Sequence, residues 1–137
     1  MKKFCLIFLT AILMTLLPIT VASAKETTKT VKLTYYCACP SCNGSWALWK
    51  NGTWSTTTTS GKRLYNLKHY KYKYCAATPS VGRIGQTIKV KLNGKTYKLK
   101  IVDRMGSNYG NRIDVFHPSH AGCYKLGVKY NHKVQVI

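Results

Sequence analysis

The stretch "VDRMGSNYGNRIDVF", residues 102–116, holds Asp103 and Asp114, two of only three acidic residues in a chain with 22 Lys and Arg. Carboxyl groups can give and take protons where lysine cannot, so two of them kept this close together in so basic a protein point to acid-base chemistry. A formal charge of +19 should lower an aspartate's pKa, the wrong direction for a proton donor. Something local must oppose it, and a second carboxylate together with partial burial would do so. If Asp103 and Asp114 end adjacent strands joined by the "MGSNYGN" turn, each lies within reach of the other's charge. The bland alternative pairs Asp103 with Arg104 or Arg112 and lets Asp114 hold a backbone turn, stitching the fold without chemistry.

Other reactive side chains are fewer. Cys37, Cys39 and Cys42 fall within six residues, with Cys75 and Cys123 further on. Cys5 belongs to the apolar leader read below as a signal peptide, and for the five cysteines that remain in an oxidising compartment two disulfides and one free thiol are the default, with the Cys37–Cys42 loop tied to the body of the domain. The competing reading is a zinc site on Cys37-x-Cys39-x-x-Cys42 with a fourth ligand, but the first spacing is tight for the common knuckle, so no metal is expected. His69, His117, His120 and His132 have no metal-binding spacing; His117 would face Asp114 only on a helix. Trp46, Trp49 and Trp54 can either stack on the apolar faces of sugar rings or pack beneath a tied loop. No phosphate-binding glycine loop and no nucleophile elbow is present, and no cofactor is expected.

What must position these residues starts after "MKKFCLIFLTAILMTLLPITVASA", whose two lysines, apolar run and Ala22-Ser23-Ala24 site read as a secretory signal peptide over 1–24. Residues 25–137 then make one domain, a secreted or wall-associated monomer. Loss of Lys2 and Lys3 takes the charge to +17. That excess steers the protein toward polyanions such as wall polymers, with a membrane surface and nucleic acid as the other classes. The lysines alternate through strand-like runs, which is first of all a solvated sheet face, so neither nucleic acid nor a membrane span in the mature chain is expected. "KHYKYKY" mixes lysine with aromatics in the way single-strand nucleic-acid binders do, and equally fits an ordinary edge strand guarded by lysines.

"VKLTYYCAC" reads as a strand, and "GQTIKVKLNGKTYKLKIVD" as a hairpin around Asn93-Gly94. "RIDVF" and "HKVQVI" are further strands. "HPSHAGCYKLGV" carries a short helix between Pro118-Ser119 and Gly127. The segment "SCNGSWALWKNGTWSTTTTSGKRLYN" shows little periodicity and reads as a long irregular surface connection. Mostly short strands with one helix suggest a closed or nearly closed barrel.

The segments "TYYCACPSCNGSWA", "TTSGKRL", "CAATPSVGRIGQTIKV", "VDRMGSNYGNRIDVF" and "PSHAGCYKLGVKYNHKVQVI" together resemble the 3D (three-aspartate) domain family, whose double-psi β-barrel is shared with membrane-bound lytic transglycosylase A, rare-lipoprotein-A-like proteins and expansins. The resemblance implies a mainly β, six-stranded double-psi β-barrel with one or two short helices, acting on peptidoglycan or associated anionic wall polymers. It implies a lytic transglycosylase-like enzyme, or alternatively a non-catalytic expansin-like wall-binding module. On the enzyme reading Asp114 is the proton donor and Asp103 its partner, though the roles could be exchanged. Thr78, Arg112, Trp46, Trp49 and Trp54 are the substrate-binding candidates. One departure stands out: Thr78 occupies the position of the family's first aspartate, and a hydroxyl keeps hydrogen bonding but holds no charge. Asp103-Arg104 also leans toward the Asp-Arg of rare-lipoprotein-A-like barrels.

Overall fold

The computed structural model describes residues 25–137; the expected signal segment, 1–24, lies outside the described residues. Six strands close a barrel: β1 (Thr27–Tyr36), β5 (Tyr74–Ala77), β6 (Thr87–Leu92), β7 (Lys95–Arg104), β8 (Arg112–Phe116) and β9 (Lys129–Val136). Three more, β2 (Ala47–Lys50), β3 (Thr53–Thr57) and β4 (Arg63–Tyr65), form a small antiparallel sheet outside it. Two short helices complete the set, α1 (Pro40–Asn43) and α2 (His120–Leu126). No helix among the described residues is long and apolar enough to cross a membrane.

The barrel order is β1-β8-β5-β7-β6-β9. Two neighbouring pairs, β1 with β8 and β5 with β7, run parallel, and the others run antiparallel. Exchanging β1 with β7, β5 with β8 and β6 with β9 maps every pairing onto another of the same sense. The first and second halves of the barrel are thus related by a pseudo-twofold, the double-psi arrangement that the family resemblance implied.

Alternation builds the core. Val31, Leu33 and Tyr35 of β1, Ile88, Val90 and Leu92 of β6, Ile113 and Val115 of β8, and Val134 and Val136 of β9 all point inward. The intervening lysines of β6 and β7 face out, as the solvated-face reading requires. Asn93-Gly94 makes the tight turn between these strands, both residues in the left-handed region. The final helix is capped as expected: the Ser119 hydroxyl accepts the Gly122 N–H at 3.1 Å, and Gly127 ends it with φ near 63°.

Two expectations fail. The segment read as an irregular connection folds into β2, β3 and β4, with the edge-to-face pair Trp49–Trp54 (5.2 Å between centroids) facing across β2 and β3. Its Thr and Trp content suits strands. The alternation was invisible because β2 has no buried residue and only part of β3 and β4 is covered by the barrel. "KHYKYKY" is no edge strand either: Lys68–Tyr70 is a 3-10 turn, and Tyr70 and Tyr74 stack over the outer wall.

Candidate functional site

The small sheet roofs part of the barrel's outer wall. Beneath it lies a second apolar cluster of Tyr36, Ala38, Leu64, Ala76, Val102 and Phe116, so outward-facing residues of β1, β5 and β8 are buried here although they point away from the core. Across this wall the register aligns Thr34 with Asp114, Asp114 with Ala76, and Ala76 with Asp103. A bulge opposite Cys75–Ala76 inserts Val102 and brings Asp103 into that row. The two aspartates are therefore not on adjacent strands, as the turn between them suggested. β5 runs between their strands, with Ala76 standing between the two aspartates in the row.

Asp114 is held at one end of the row. The Thr34 hydroxyl donates to Asp114 Oδ1 at 2.9 Å, while that same hydroxyl accepts Arg112 Nε and Nη2 at 3.1 and 2.9 Å. Arg112 Nη2 stands 3.9 Å from Asp114 Oδ2, so the guanidinium is pinned to the threonine rather than docked on the carboxylate. Burial pushes the Asp114 pKa up, opposed by the Thr34 hydrogen bond and by Arg112, and the Asp103 charge pushes it further up. The balance is upward, the direction a proton donor needs. Its side chain keeps 18% exposure, so it remains reachable.

Asp103 is held differently. The backbone N–H and hydroxyl of Thr59 and the N–H of Arg104 all donate to its Oδ1, at 2.9, 2.7 and 2.9 Å. The expected alternative partner, Arg104, instead sends its guanidinium to the carbonyls of Ala77 and Gly82 at 3.2 and 2.7 Å. Neither Arg104 nor Arg112 pairs with Asp103.

Thr78 is fully buried where β5 ends. Its hydroxyl accepts the Arg112 N–H at 3.2 Å and meets Ser80 Oγ at 3.2 Å, and its carbonyl accepts the Val81 N–H at 3.0 Å. It organises the turn and the backbone of Arg112, two residues from Asp114 along β8. A site residue not singled out from the sequence is Tyr36. Its phenolic oxygen is buried without a partner, and burial followed by the charges of Asp103 and Asp114 holds its pKa well above the ordinary value. A neutral O–H donor thus stands near both aspartates. Its only signal was its place on the outward face of β1, two residues after Thr34.

Two hollows flank the row. A cleft of about 550 Å³ at the Asp103 end is lined by Asp103, Arg104, Thr56 to Thr59, Trp46 and Cys42. Another of about 340 Å³ at the Thr34 end is lined by Thr34, Arg112, His120, Tyr124, Val128 and Cys42, among others. Trp46 and Trp49 are well exposed, while Trp54 is half-buried against the apolar clusters. Of the three tryptophans only Trp46 reaches the cleft.

Among the described residues no two cysteines are joined, and Cys37, Cys39 and Cys42 converge with His120. Cys75 is buried in the barrel, where burial and the Asp114 charge push its thiol pKa up. The thiol pKa of Cys37 is pushed up to about 12, chiefly by the neighbouring Cys123 thiol. His117 packs on Tyr72 and bonds the Ser119 backbone, away from Asp114.

No family model matches this chain. No curated protein matches it either. A solved structure, Streptomyces papain inhibitor (SPI), superposes with a TM-score of 0.53, covering 81% of this chain and 94% of that chain at 16% identity. A likeness at that identity shows the barrel fold and nothing of the activity.

Proposed function

We propose that this chain is an exported enzyme that cleaves the glycan strands of peptidoglycan by lytic transglycosylation, as its resemblance to the three-aspartate family implies. The observation that carries the reading is the Asp114 carboxyl, driven upward by burial and by Asp103 inside a chain whose net charge should drive it down. Protonated Asp114 gives its proton to the glycosidic oxygen, and the bond from that oxygen to the anomeric carbon breaks. The Asp114 carboxylate then takes the proton of the muramic acid 6-hydroxyl, whose oxygen closes onto the anomeric carbon to leave a 1,6-anhydro end. Water is not consumed, so the spacing of the two carboxylates does not select a hydrolytic outcome. Asp103 supports the protonated state by its charge. The Trp46 face and the Thr56 to Thr59 edge offer stacking and hydroxyl contacts along the cleft.

The test is Asp114→Asn, which retains an oxygen for the Thr34 hydroxyl but has no proton to deliver. Removing a general acid costs roughly 10²–10⁴ in rate. Anhydromuropeptide release from purified peptidoglycan should fall by that factor, with melting temperature and wall binding retained. A second reading, a wall-binding barrel without catalysis, draws on Thr78, which spends its hydroxyl on a turn and carries no charge. Parent protein that binds peptidoglycan and yields no anhydromuropeptide, on a wall that a known lytic enzyme digests, would establish that reading instead.

A further inference from the structure

We propose that Cys37, Cys39, Cys42 and His120 form a closed tetrahedral zinc site that clamps the start of the roof to the first turn of α2. One ligand atom from each residue lies within 4.8 Å of all the others. Cys37 Sγ and Cys42 Sγ are 3.7 Å apart, and His120 Nδ1 is 3.4 Å from Cys39 Sγ and 3.5 Å from Cys42 Sγ. A tetrahedron with Zn–S of about 2.3 Å and Zn–N of about 2.0–2.1 Å has sulfur–sulfur edges of about 3.8 Å and sulfur–nitrogen edges of about 3.5 Å. The three edges given above match both values. A disulfide requires sulfurs at about 2.0 Å. It would also use two of the three sulfurs and leave the imidazole nitrogen facing the group without purpose.

The local chain is built for this. Pro40–Asn43 is the single turn of α1 with Cys39 at its N-cap, and the Cys42 and Asn43 N–H groups donate to the Cys39 carbonyl at 3.1 and 3.0 Å. The Asn43 side chain closes back on the Cys37 and Cys39 carbonyls. These bonds fold three sulfurs to one side, where the chain bends at Ala38 and Cys39 after leaving β1. His120, the first residue of α2, supplies the fourth ligand from 78 residues beyond Cys42. Three soft thiolates with one imidazole and no carboxylate select zinc over calcium, magnesium or manganese. Binding displaces the thiol protons, and four protein ligands leave no open position, so the role is structural. Cys42 lines both hollows beside the aspartate row, so the metal would also set the shape of that groove. The proposal stands whether or not the groove is catalytic.

The experiment uses the exported chain, purified without chelator, with metal measured against protein. About one equivalent of zinc is expected, with its release by a strong chelator lowering the melting temperature. Replacing zinc with Co²⁺ should give sulfur-to-cobalt charge-transfer bands and the strong visible bands of a tetrahedral site. His120→Ala should weaken zinc binding by roughly tenfold or more, since even groups that only orient a ligand cost about that much. His69→Ala, remote from the cluster, should leave it unchanged. Weak octahedral cobalt bands overturn the site, as does zinc binding indifferent to His120. So does exported protein in which any of Cys37, Cys39 and Cys42 is disulfide-bonded. The cobalt spectrum is read on the unmutated chain, so a variant that misfolds does not decide the matter.

Discussion

Thr34→Val tests the electrostatic account of Asp114 most directly. One hydroxyl has one proton and two lone pairs, and Thr34 uses all three: it donates to Asp114 and accepts both guanidinium N–H groups of Arg112. Valine keeps the branched shape, so no cavity opens, and only the polar connections are lost. A hydrogen bond to a charged group contributes about 1.5–3 kcal/mol. Asp114 loses its one direct donor, while Arg112, with 21% of its side chain exposed, regains part of its bonding from water. We expect a net loss of about 2.5 kcal/mol at neutral pH. For a domain of this size that corresponds to roughly 10 °C in melting temperature. The pH dependence identifies the cause. Because the folded-state pKa of Asp114 is raised, its ionised form burdens the fold at pH values above that pKa, and the burden disappears below the unfolded value of about 3.9. The Thr34 hydroxyl relieves part of that burden, so the deficit of Thr34→Val should shrink to about 1 kcal/mol near pH 3. Urea unfolding of parent, Thr34→Val and Thr34→Ser at both pH values reads it out. An equal deficit at both pH values, or a serine variant as weak as the valine one, would refute the idea that Thr34 acts through the Asp114 charge.

Asp103→Asn keeps an oxygen for Thr59 and Arg104 but removes the charge that raises Asp114; in a carbon-13 titration Asp114 should move to lower pH, and glycan cleavage should fall away at lower pH than in the parent. An Asp114 that titrates unchanged would mean the two carboxylates do not communicate. Retention on wall sacculi should weaken as salt rises from 0.1 to 1 M, where the Debye length drops from about 10 to about 3 Å. What persists at high salt should fall in Trp46→Ala, and retention insensitive to salt would reject the role of the +17 charge of residues 25–137. Thr78→Asp places a third carboxylate beside the Arg112 backbone; anhydromuropeptide release should increase and extend to higher pH, and an unchanged profile would make position 78 purely a turn residue.

Much of the barrel was legible because its cause is local. Alternation in "IKVKL" and "YKLKIV" dictates strands with one apolar face, Asn93-Gly94 dictates their turn, and Ser119 and Gly127 bound the one helix that the pattern showed. These signals act over a few residues, where sequence distance and spatial distance agree. Charge was equally legible, and with it the argument that an aspartate in this chain needs local help to hold a proton.

The site was legible in part. Asp103 and Asp114 were found by type, but their arrangement across Ala76 depends on β5 entering between β7 and β8, a crossover that no turn between the two aspartates announces. Tyr36 and the burial of Asp114 were invisible for a related reason. Both sit on the barrel's outer face, where alternation promises solvent, and Tyr36 is buried there because Leu64 of the small sheet and Phe116 close over it. The sulfur cluster shows the same limit from the other side: three cysteines within six residues were plain, yet the fourth member, His120, arrives on α2 through the parallel pairing of β1 and β8. Sequence alone determined which groups were present, how the β6–β7 hairpin and the last helix would fold and how strongly charged their surroundings would be. Which groups meet was decided by the closure of the barrel, because pairing energies between strands distant in sequence depend on a register and a neighbour that only the completed sheet supplies.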